Sequence, residues 1–145
     1  MPGSYFSFAT MPATFTLGKL ERLKRRKVID QLFSEGKAYT VFPLRVQYLF
    51  SGLPDAVPLQ AGFTASGRNF KKAVDRNRIK RLMREAYRLQ KNPLQEQLLQ
   101  KQKQLGLFFI YTGRELPDYT LVNEKIAVIL KRLTQVVHES SAKNT

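Results

Sequence analysis

The sequence predicts an α+β domain in which helices pack on a small, mostly antiparallel sheet. Residues 42–50 alternate apolar with more polar side chains as far as Leu49, the period of a half-buried strand. Residues 105–111 are apolar almost throughout, as expected for a strand covered on both faces. Residues 69–91 and 121–137 repeat apolar side chains at helical spacing, so two amphipathic helices accompany the strands.

The first third of the chain is predicted to contain a helix followed by a hairpin. The helix starts near residue 18 and stops at Gly36, a residue that commonly ends helices. Residues 51–58 are rich in turn formers, and residues 59–66 have strand composition. We predict that this second strand pairs with strand 42–50 as a hairpin with a longer loop.

The second half of the chain is predicted to continue with a further helix, a strand and a closing helix. Pro93 breaks the helix that precedes it, and Asn92 is suited to the N-cap of the next one. Residues 94–104 are Gln-rich but keep a partial helical period, which favours a surface helix or helical loop over a disordered tract. Strands 59–66 and 105–111 then flank a crossover, for which right-handed connections are the rule.

Composition limits the classes of protein to which the chain can belong. Its 145 residues are 43% hydrophobic, enough for one modest core. The absence of Cys excludes disulfides and thiolate metal sites, and a single histidine, His138, disfavours a His-centred metal or acid–base site. Residues 1–16 lack the features of a secretory signal, and no apolar run approaches the length of a membrane span. We therefore expect a cytoplasmic protein.

Positive charge is concentrated in one tract. Residues 68–91 contain ten Lys or Arg against Asp75 and Glu85, a net charge of +8 in a chain whose total is +14. A solvated helix face normally interleaves both signs of charge, so the tract favours a nucleic-acid partner. A basic amphipathic helix can also bind anionic lipid, but the apolar face here lacks the broad Trp/Phe/Leu character of a membrane-inserting helix.

The charges in this tract follow a helical pattern. Residues four apart advance only about 40° around a helix axis, so cations at that spacing form one ridge. The ridge consists of Lys72, Arg76, Lys80, Arg84 and Arg88. Arg78 and Arg81 flank it. The predicted buried face consists of Ile79, Leu82, Met83, Ala86 and Tyr87. Like charges at this spacing weaken an isolated helix, and a polyanionic partner would relieve that repulsion.

The sequence RNRIKR at residues 76–81, followed by Arg84 and Glu85, resembles the signature of the bacterial ribonuclease P protein family. The flanking segments RLKRRKVIDQLFSEGK, LQAGFTAS and LGLFFIY are similar to the family's first helix, the strand before the signature helix and the last strand. The resemblance covers roughly residues 16–138. We accordingly divide the chain into a flexible extension (1–16), a single RNA-binding domain (17–138) and a flexible tail (139–145).

The resemblance implies a two-layer α/β sandwich with a left-handed βαβ crossover, the exception to the right-handed rule. It also implies the protein subunit of ribonuclease P, an endoribonuclease that removes the 5′ leader of precursor tRNA. The expected partners are the ribonuclease P RNA subunit and precursor tRNA, without a membrane or a protein oligomer. Catalysis would belong to the RNA subunit and its Mg²⁺ ions, so the resemblance assigns this chain no catalytic residue, metal ligand or cofactor of its own.

The resemblance also assigns two binding sites. The predicted RNA-binding residues are Arg68, Lys71, Lys72, Arg76, Asn77, Arg78, Lys80, Arg81, Arg84 and Arg88. Arg and Lys suit phosphate, whereas Asn77 serves either RNA or its own backbone. Many family members have two consecutive basic residues at positions 67 and 68, but this chain keeps only Arg68. This departure weakens the predicted phosphate grip there.

The second predicted site is a cleft for the single-stranded leader between the first helix and the sheet. Its candidate residues are Ile29, Phe33, Arg45 and Tyr48. Phe33 and Tyr48 are equally compatible with ordinary core packing. Ile29 stands where many family members have Phe, so a stacking contribution of about 1–3 kcal/mol per base is lost at that position.

Two other functions compete with this interpretation. A structural RNA-binding protein of the ribosomal type would share the basic helix without taking part in cleavage, and the signature with its flanks argues against it. A self-sufficient nuclease would require clustered acids or a pair of histidines, which the sequence lacks. DNA recognition is disfavoured because the basic ridge of the helix lacks the array of Gln, Asn and Ser side chains that usually contacts base edges.

Overall fold

The computed structural model describes residues 21–50 and 57–143, which form four helices and four strands. In chain order the elements are α1 (Arg26–Glu35), β1 (Lys37–Val41), β2 (Leu44–Phe50), β3 (Leu59–Ala65), α2 (Ala73–Gln90), α3 (Asn92–Lys101), β4 (Leu105–Tyr111) and α4 (Tyr119–Lys143). The predicted α+β class is confirmed.

The four strands form one mixed sheet in the order β1-β2-β4-β3. β1 pairs with β2 and β2 pairs with β4 in antiparallel fashion, whereas β3 and β4 are parallel. Parallel neighbours cannot be joined by a tight turn, so the chain must cross a face of the sheet between them. α2 and α3 make that crossing, as the crossover prediction required.

The predicted hairpin between strands 42–50 and 59–66 is wrong. β4 lies between β2 and β3, and the partner of β2 on its other side is β1, which the sequence analysis missed. β1 and β2 are joined through Phe42 and Pro43 alone, a connection short enough to enforce antiparallel pairing. β4 is apolar along its length, and an interior position in the sheet lets its neighbours and the helices cover it.

Alternation along the strands gives the sheet two different faces. The face that packs against α2 and α4, here called the core face, carries the buried side chains Leu44, Val46, Leu59, Ala61, Leu105, Leu107, Phe109 and Tyr111. Full burial of each large aliphatic or aromatic side chain contributes about 1.5–3 kcal/mol. The opposite face, here called the α1 face, is covered in part by α1, where Phe33 contacts Phe108 of β4.

α1 begins at Arg26, so the prediction of a helix from residue 18 is wrong for residues 22–25, while residues 18–20 lie outside the described part. The preceding segment instead lies along β3, where the Leu23 N–H donates to the Ala61 carbonyl at 2.9 Å. An edge strand offers unpaired backbone groups, and this contact satisfies one of them.

Gly36 ends α1, as predicted, and the reason is lack of space. A Cβ at this position would clash with the Leu32 carbonyl and would lie 2.7 Å from the Tyr48 carbonyl oxygen. The Gly36 φ of −79° is open to any residue. The glycine is needed because β2 passes close to the end of the helix.

The Gln-rich segment forms α3, which confirms the helical prediction for it. Leu94 and Leu98 are fully buried, and Asn92 belongs to the first turn of the helix instead of acting as its N-cap. α4 extends beyond the predicted 121–137, and residues 139–143 of the predicted flexible tail lie within it.

A buried ion pair lies at the junction of α2 and α3. The Lys91 side chain is fully buried; its ammonium donates to the Glu21 carboxylate and, at 3.4 Å, to the Gln95 side-chain oxygen. Tyr87 is also fully buried, and burial, assisted by the negative charge of Glu21, raises the pKa of its hydroxyl well above the ordinary value. The ion pair thus attaches the start of the described chain to the end of α2.

A candidate nucleic-acid interface

α2 packs with the face that the sequence predicts. Ile79, Met83, Ala86 and Tyr87 are fully buried, and Leu82 is half-buried at the margin. The helix packs on β3 and α4, and Tyr87 meets Phe109 of β4, so the remaining circumference of the helix faces outward. The pattern of periodic apolar residues was sufficient to orient this helix correctly.

The residues of the predicted basic ridge differ in solvent exposure. Each step of four residues rotates by about 40°, so a line that starts at Arg76 crosses to the exposed side by Arg84. Arg76 is half-buried beside the packed face, and Lys72 lies just before the first residue of the helix. Of the predicted RNA-binding residues on α2, Asn77, Arg78, Arg81 and Arg84 are exposed, and Lys80 and Arg88 are half-buried.

Arg76 binds the backbone of its own chain. Its Nη1 donates to the Phe70 carbonyl at 2.8 Å and to the Lys71 carbonyl at 2.9 Å. Two charge-assisted hydrogen bonds from one guanidinium hold the segment that leads into α2. Arg76 therefore acts as a clamp: it fixes the backbone of the segment that carries Lys71 and Lys72.

Two further arginines of the predicted set have partners within the protein. Arg88 forms an exposed ion pair with Glu85, and hydrogen bonds from this guanidinium hold the pKa of the Glu85 carboxyl below its ordinary value. The Arg84 guanidinium lies over the Phe63 ring of β3, 6.0 Å from its centroid. Exposed contacts of this kind contribute little stability, so both arginines remain accessible to phosphate.

The segment between β3 and α2 is held from a second side by Asn69. Its Nδ2 donates to the Gly113 carbonyl at 3.1 Å and to the Thr112 carbonyl at 3.3 Å, in the segment after β4. Arg68, Lys71 and Lys72 lie exposed on this tethered segment. The structure therefore brings these three predicted residues next to the amino end of α2.

A second basic segment was not assigned to the RNA site by sequence reasoning. It comprises the exposed side chains Arg22, Lys24, Arg25, Arg26 and Lys27. Arg22 pairs with Ala61 in a parallel bridge, so the residues after it follow β3 toward its carboxyl end, where the α2 entry also begins. The run RLKRRK was the sequence signal that could have revealed this basic segment. Its position along β3 depends on the pairing of Arg22 with Ala61, which the sequence does not show.

The α1 face carries most, but not all, of the predicted cleft. Phe33 is 46% exposed and meets Phe108 edge to face, with ring centroids 5.6 Å apart, and Ile29 is half-buried on the same helix. Arg45 pairs with Ile110 and Gln47 with Phe108, so both side chains share this face with the two rings. The Gln47 side-chain oxygen is buried and has no hydrogen-bond partner among the described residues.

The structure separates Tyr48 from the other three cleft residues. Adjacent strand residues point to opposite faces, and Tyr48 lies on the core face next to Phe50, with ring centroids 6.4 Å apart. Tyr48 thus packs against the core, which the sequence analysis gave as the alternative to a place in the cleft.

Residues 21–50 and 57–143 contain neither a cluster of metal-binding side chains nor a helix that could span a membrane. No three His, Asp or Glu side chains there are grouped so that they could hold a metal ion. No helix in the same ranges has the length and apolar character needed to cross a membrane.

Comparison with known proteins identifies relatives over nearly the whole chain. The sequence profile of the family Ribonuclease P matches residues 17–134. The chain is 41% identical over 135 residues to a ribonuclease P protein component of Porphyromonas gingivalis, covering 93% of this chain and 98% of that one. It is 34% identical over 129 residues to the ribonuclease P protein component of Chlorobaculum tepidum, covering 83% and 84%.

A solved structure shares the fold. The RNase P protein of Staphylococcus aureus superposes with a TM-score of 0.61 over 77% of this chain and 93% of that one, at 17% sequence identity. At that identity the likeness concerns the arrangement of helices and strands.

The clamp role of Arg76 predicts a loss of stability that an exposed arginine does not cause. We expect Arg76→Ala to lower the free energy of unfolding by about 1–3 kcal/mol, because two backbone carbonyls lose a charged donor. Arg81→Ala, which removes an exposed cation from the same helix, should change it by at most about 0.5 kcal/mol. Urea unfolding followed by circular dichroism measures both, and equal effects of the two substitutions would contradict the clamp.

Proposed function

This chain belongs to the ribonuclease P protein family, and from that membership we propose that it is the protein subunit of a ribonuclease P ribonucleoprotein. In that role it binds the RNA subunit and the 5′ leader of precursor tRNA and assists removal of the leader. The observation that carries the proposal is the basic surface formed by the exposed cations of the outward face of α2, of the segment that leads into α2 and of the segment before α1. We place this activity in the cytoplasm.

The chemistry of this surface suits an RNA backbone. Arg78 and Arg81 are exposed, and no ion pair of theirs is found within the described residues, so each can present its planar fork to a phosphate. Neutralising phosphates releases counterions, which makes such binding strong at low salt and tolerant of sequence. Recognition of this kind fits a protein that must engage many precursor tRNAs.

Hydrolysis of the phosphodiester is assigned to the RNA subunit, whose Mg²⁺ ions would activate water and stabilise the leaving oxygen. The acids of the basic tract support this division of labour. Asp75 and Glu85 are ten residues apart on α2, about 15 Å along the axis, whereas a two-metal site needs its ions about 4 Å apart. Glu85 is also engaged by Arg88. The protein contributes binding and positioning.

The cleft beside α1 suits an extended single strand. Phe33 and Phe108 supply exposed or half-exposed rings on which bases can stack. Arg45 is exposed on the same face and can contact the backbone of the strand. We therefore propose that the leader follows the α1 face from Arg45 toward Phe33.

Reconstitution tests the function directly. The full chain is incubated with a 5′-extended precursor tRNA at low Mg²⁺, with and without a bacterial ribonuclease P RNA, and the cut is mapped. We expect cleavage at the mature 5′ end to require the RNA, and the protein to lower the Mg²⁺ needed. Tight binding without any effect on cleavage would favour a structural RNA-binding protein, and cleavage by the protein alone would contradict the division of labour.

The outward face of α2 predicts a change in the salt dependence of RNA binding. Arg78→Ala combined with Arg81→Ala should reduce the slope of log K against log salt by about 1.5, since each lost phosphate contact removes about 0.7–0.9. The control is Lys131→Ala with Arg132→Ala, which removes the same charge from α4 near β1, where Arg132 lies over Tyr39. Filter binding at several salt concentrations gives both slopes; equal slopes for the two double variants would reject a specific role for this face.

The cleft predicts a ring-specific effect on leader binding. Phe33→Leu should weaken binding of a leader-bearing precursor by about 1–3 kcal/mol, because the apolar volume is largely retained while base stacking is lost. Phe33→Tyr keeps the ring and should bind normally. Mature tRNA, which has no leader, should bind all three proteins alike. A loss that is equal for precursor and mature tRNA would exclude the leader as the ligand of this cleft.

A further inference from the structure

A second concave site lies at one end of the sheet, away from the α1 face. The turn between β1 and β2, the segment between β4 and α4, and the first turns of α4 line a wide, open cavity of about 810 Å³. Phe42 lines it and is 70% exposed, well above Phe33 at 46%, the other exposed large aromatic side chain of the described residues. Leu116, which is 45% exposed, lines the same cavity, so the two side chains form an exposed apolar patch of the kind that marks a binding site.

The walls of this cavity are held together by hydrogen bonds. The Thr112 N–H donates to the Pro43 carbonyl at 2.7 Å, joining the two segments, and the Tyr111 hydroxyl donates to the Glu115 carbonyl at 2.7 Å. The Asp118 carboxylate accepts the Leu121 N–H at 2.9 Å and so caps α4. The cavity is therefore preorganised, and a ligand would not need to order these segments.

The cavity is continuous with the basic surface. Asn69 donates to the carbonyls of Thr112 and Gly113, both of which line the cavity, from the same tethered segment that carries Arg68 and Lys71. A polyanion lying along that segment thus reaches the cavity within a few residues of its phosphate contacts. Continuity with this surface selects RNA as the occupant over an apolar protein segment.

The lining suits a single unpaired nucleotide. Phe42, Leu116 and Pro117 provide apolar surface for a base, and the cations Arg114 and Lys125 are placed to offset a phosphate charge. Glu115 and Asp118 also line the cavity and balance the charges of these two cations, so the stacking surface of Phe42 is the main attraction. A cavity of this size is within the range that holds small ligands, and base–aromatic stacking is strong and independent of base identity.

The position of the cavity indicates which RNA supplies the nucleotide. Leu121 and Lys125 of α4 form one wall, and Tyr111 lies on the core face, so the cavity opens on the side of the helices α2 and α4. The proposed leader cleft lies on the opposite face of the sheet. We infer that this cavity binds an unpaired nucleotide of the RNA subunit, stacked on Phe42; the inference rests on the function proposed above.

The sequence makes a direct optical test possible because the chain contains no Trp. In Phe42→Trp the indole is the only one in the protein, and a base stacked on it should quench its fluorescence. We expect titration with ribonuclease P RNA to quench the emission with the same midpoint as binding measured by filter retention. The control His138→Trp, 17 residues beyond Leu121 and about 25 Å along α4, should not be quenched.

Affinity gives a second measurement that does not depend on the indole. Phe42→Ala should weaken binding to the RNA subunit about tenfold, whereas Phe42→Tyr should bind within about twofold of the original chain, because it keeps the ring. Circular dichroism of each variant checks that the fold is retained.

The outcomes separate this inference from the proposed function. Normal RNA binding without quenching of Phe42→Trp, and without weakening by Phe42→Ala, would overturn the nucleotide site and leave the subunit role intact. Quenching by a leader oligonucleotide alone, at the concentration at which it binds, would assign the site to the substrate and overturn the inferred partner. Failure of the unaltered chain to bind ribonuclease P RNA at all would overturn both proposals.

Discussion

The parallel pairing of β3 with β4 determines where everything functional is placed. Two adjacent parallel strands require a connection that crosses the sheet, and here α2 makes the crossing with its apolar side on the core face. The cations of α2 must then lie on the outside. Packing also holds together a helix whose own like charges would weaken it in isolation, so the same burial that stabilises the domain displays the basic surface.

The pairing also brings distant segments of the chain to one end of the sheet. The carboxyl ends of β3 and β4 lie side by side, so the segments that follow them, around Asn69 and Gly113, are joined by hydrogen bonds. The segment before α1 runs along the outer edge of β3 toward the same end. Three stretches that are far apart in sequence therefore lie along these two neighbouring strands.

Sequence reasoning succeeded where the determining interactions are local and failed where they are not. The buried face of α2 follows from a period of 3.6 residues, and Ile79, Met83 and Tyr87 were assigned correctly. The neighbours of β2 depend on chain segments some sixty residues apart, such as Val46 and Phe109, which no local pattern specifies. The β1 strand is only five residues long and mostly exposed, so its composition carries little signal.

The same distinction applies to the site. A run of cations predicts a basic surface, but it does not distinguish an arginine that faces solvent from one that binds backbone carbonyls, and Arg76 takes the latter role because of the path of residues 70 and 71. Tyr48 was assigned to the cleft because of its strand and its side-chain type. Adjacent residues of a strand point to opposite faces, however, so Tyr48 lies on the core face while Gln47 lies on the α1 face.

The buried ion pair of Lys91 and Glu21 has a consequence for the order in which the protein is assembled during translation. A fully buried ammonium without its carboxylate is costly, about 3–5 kcal/mol when one partner is missing. The two residues are 70 positions apart, so Glu21 leaves the ribosome long before its partner. The carboxyl end of α2 reaches its final packing only after both have emerged. A nascent chain therefore completes its basic surface late, once most of the domain has been synthesised and released from the exit tunnel.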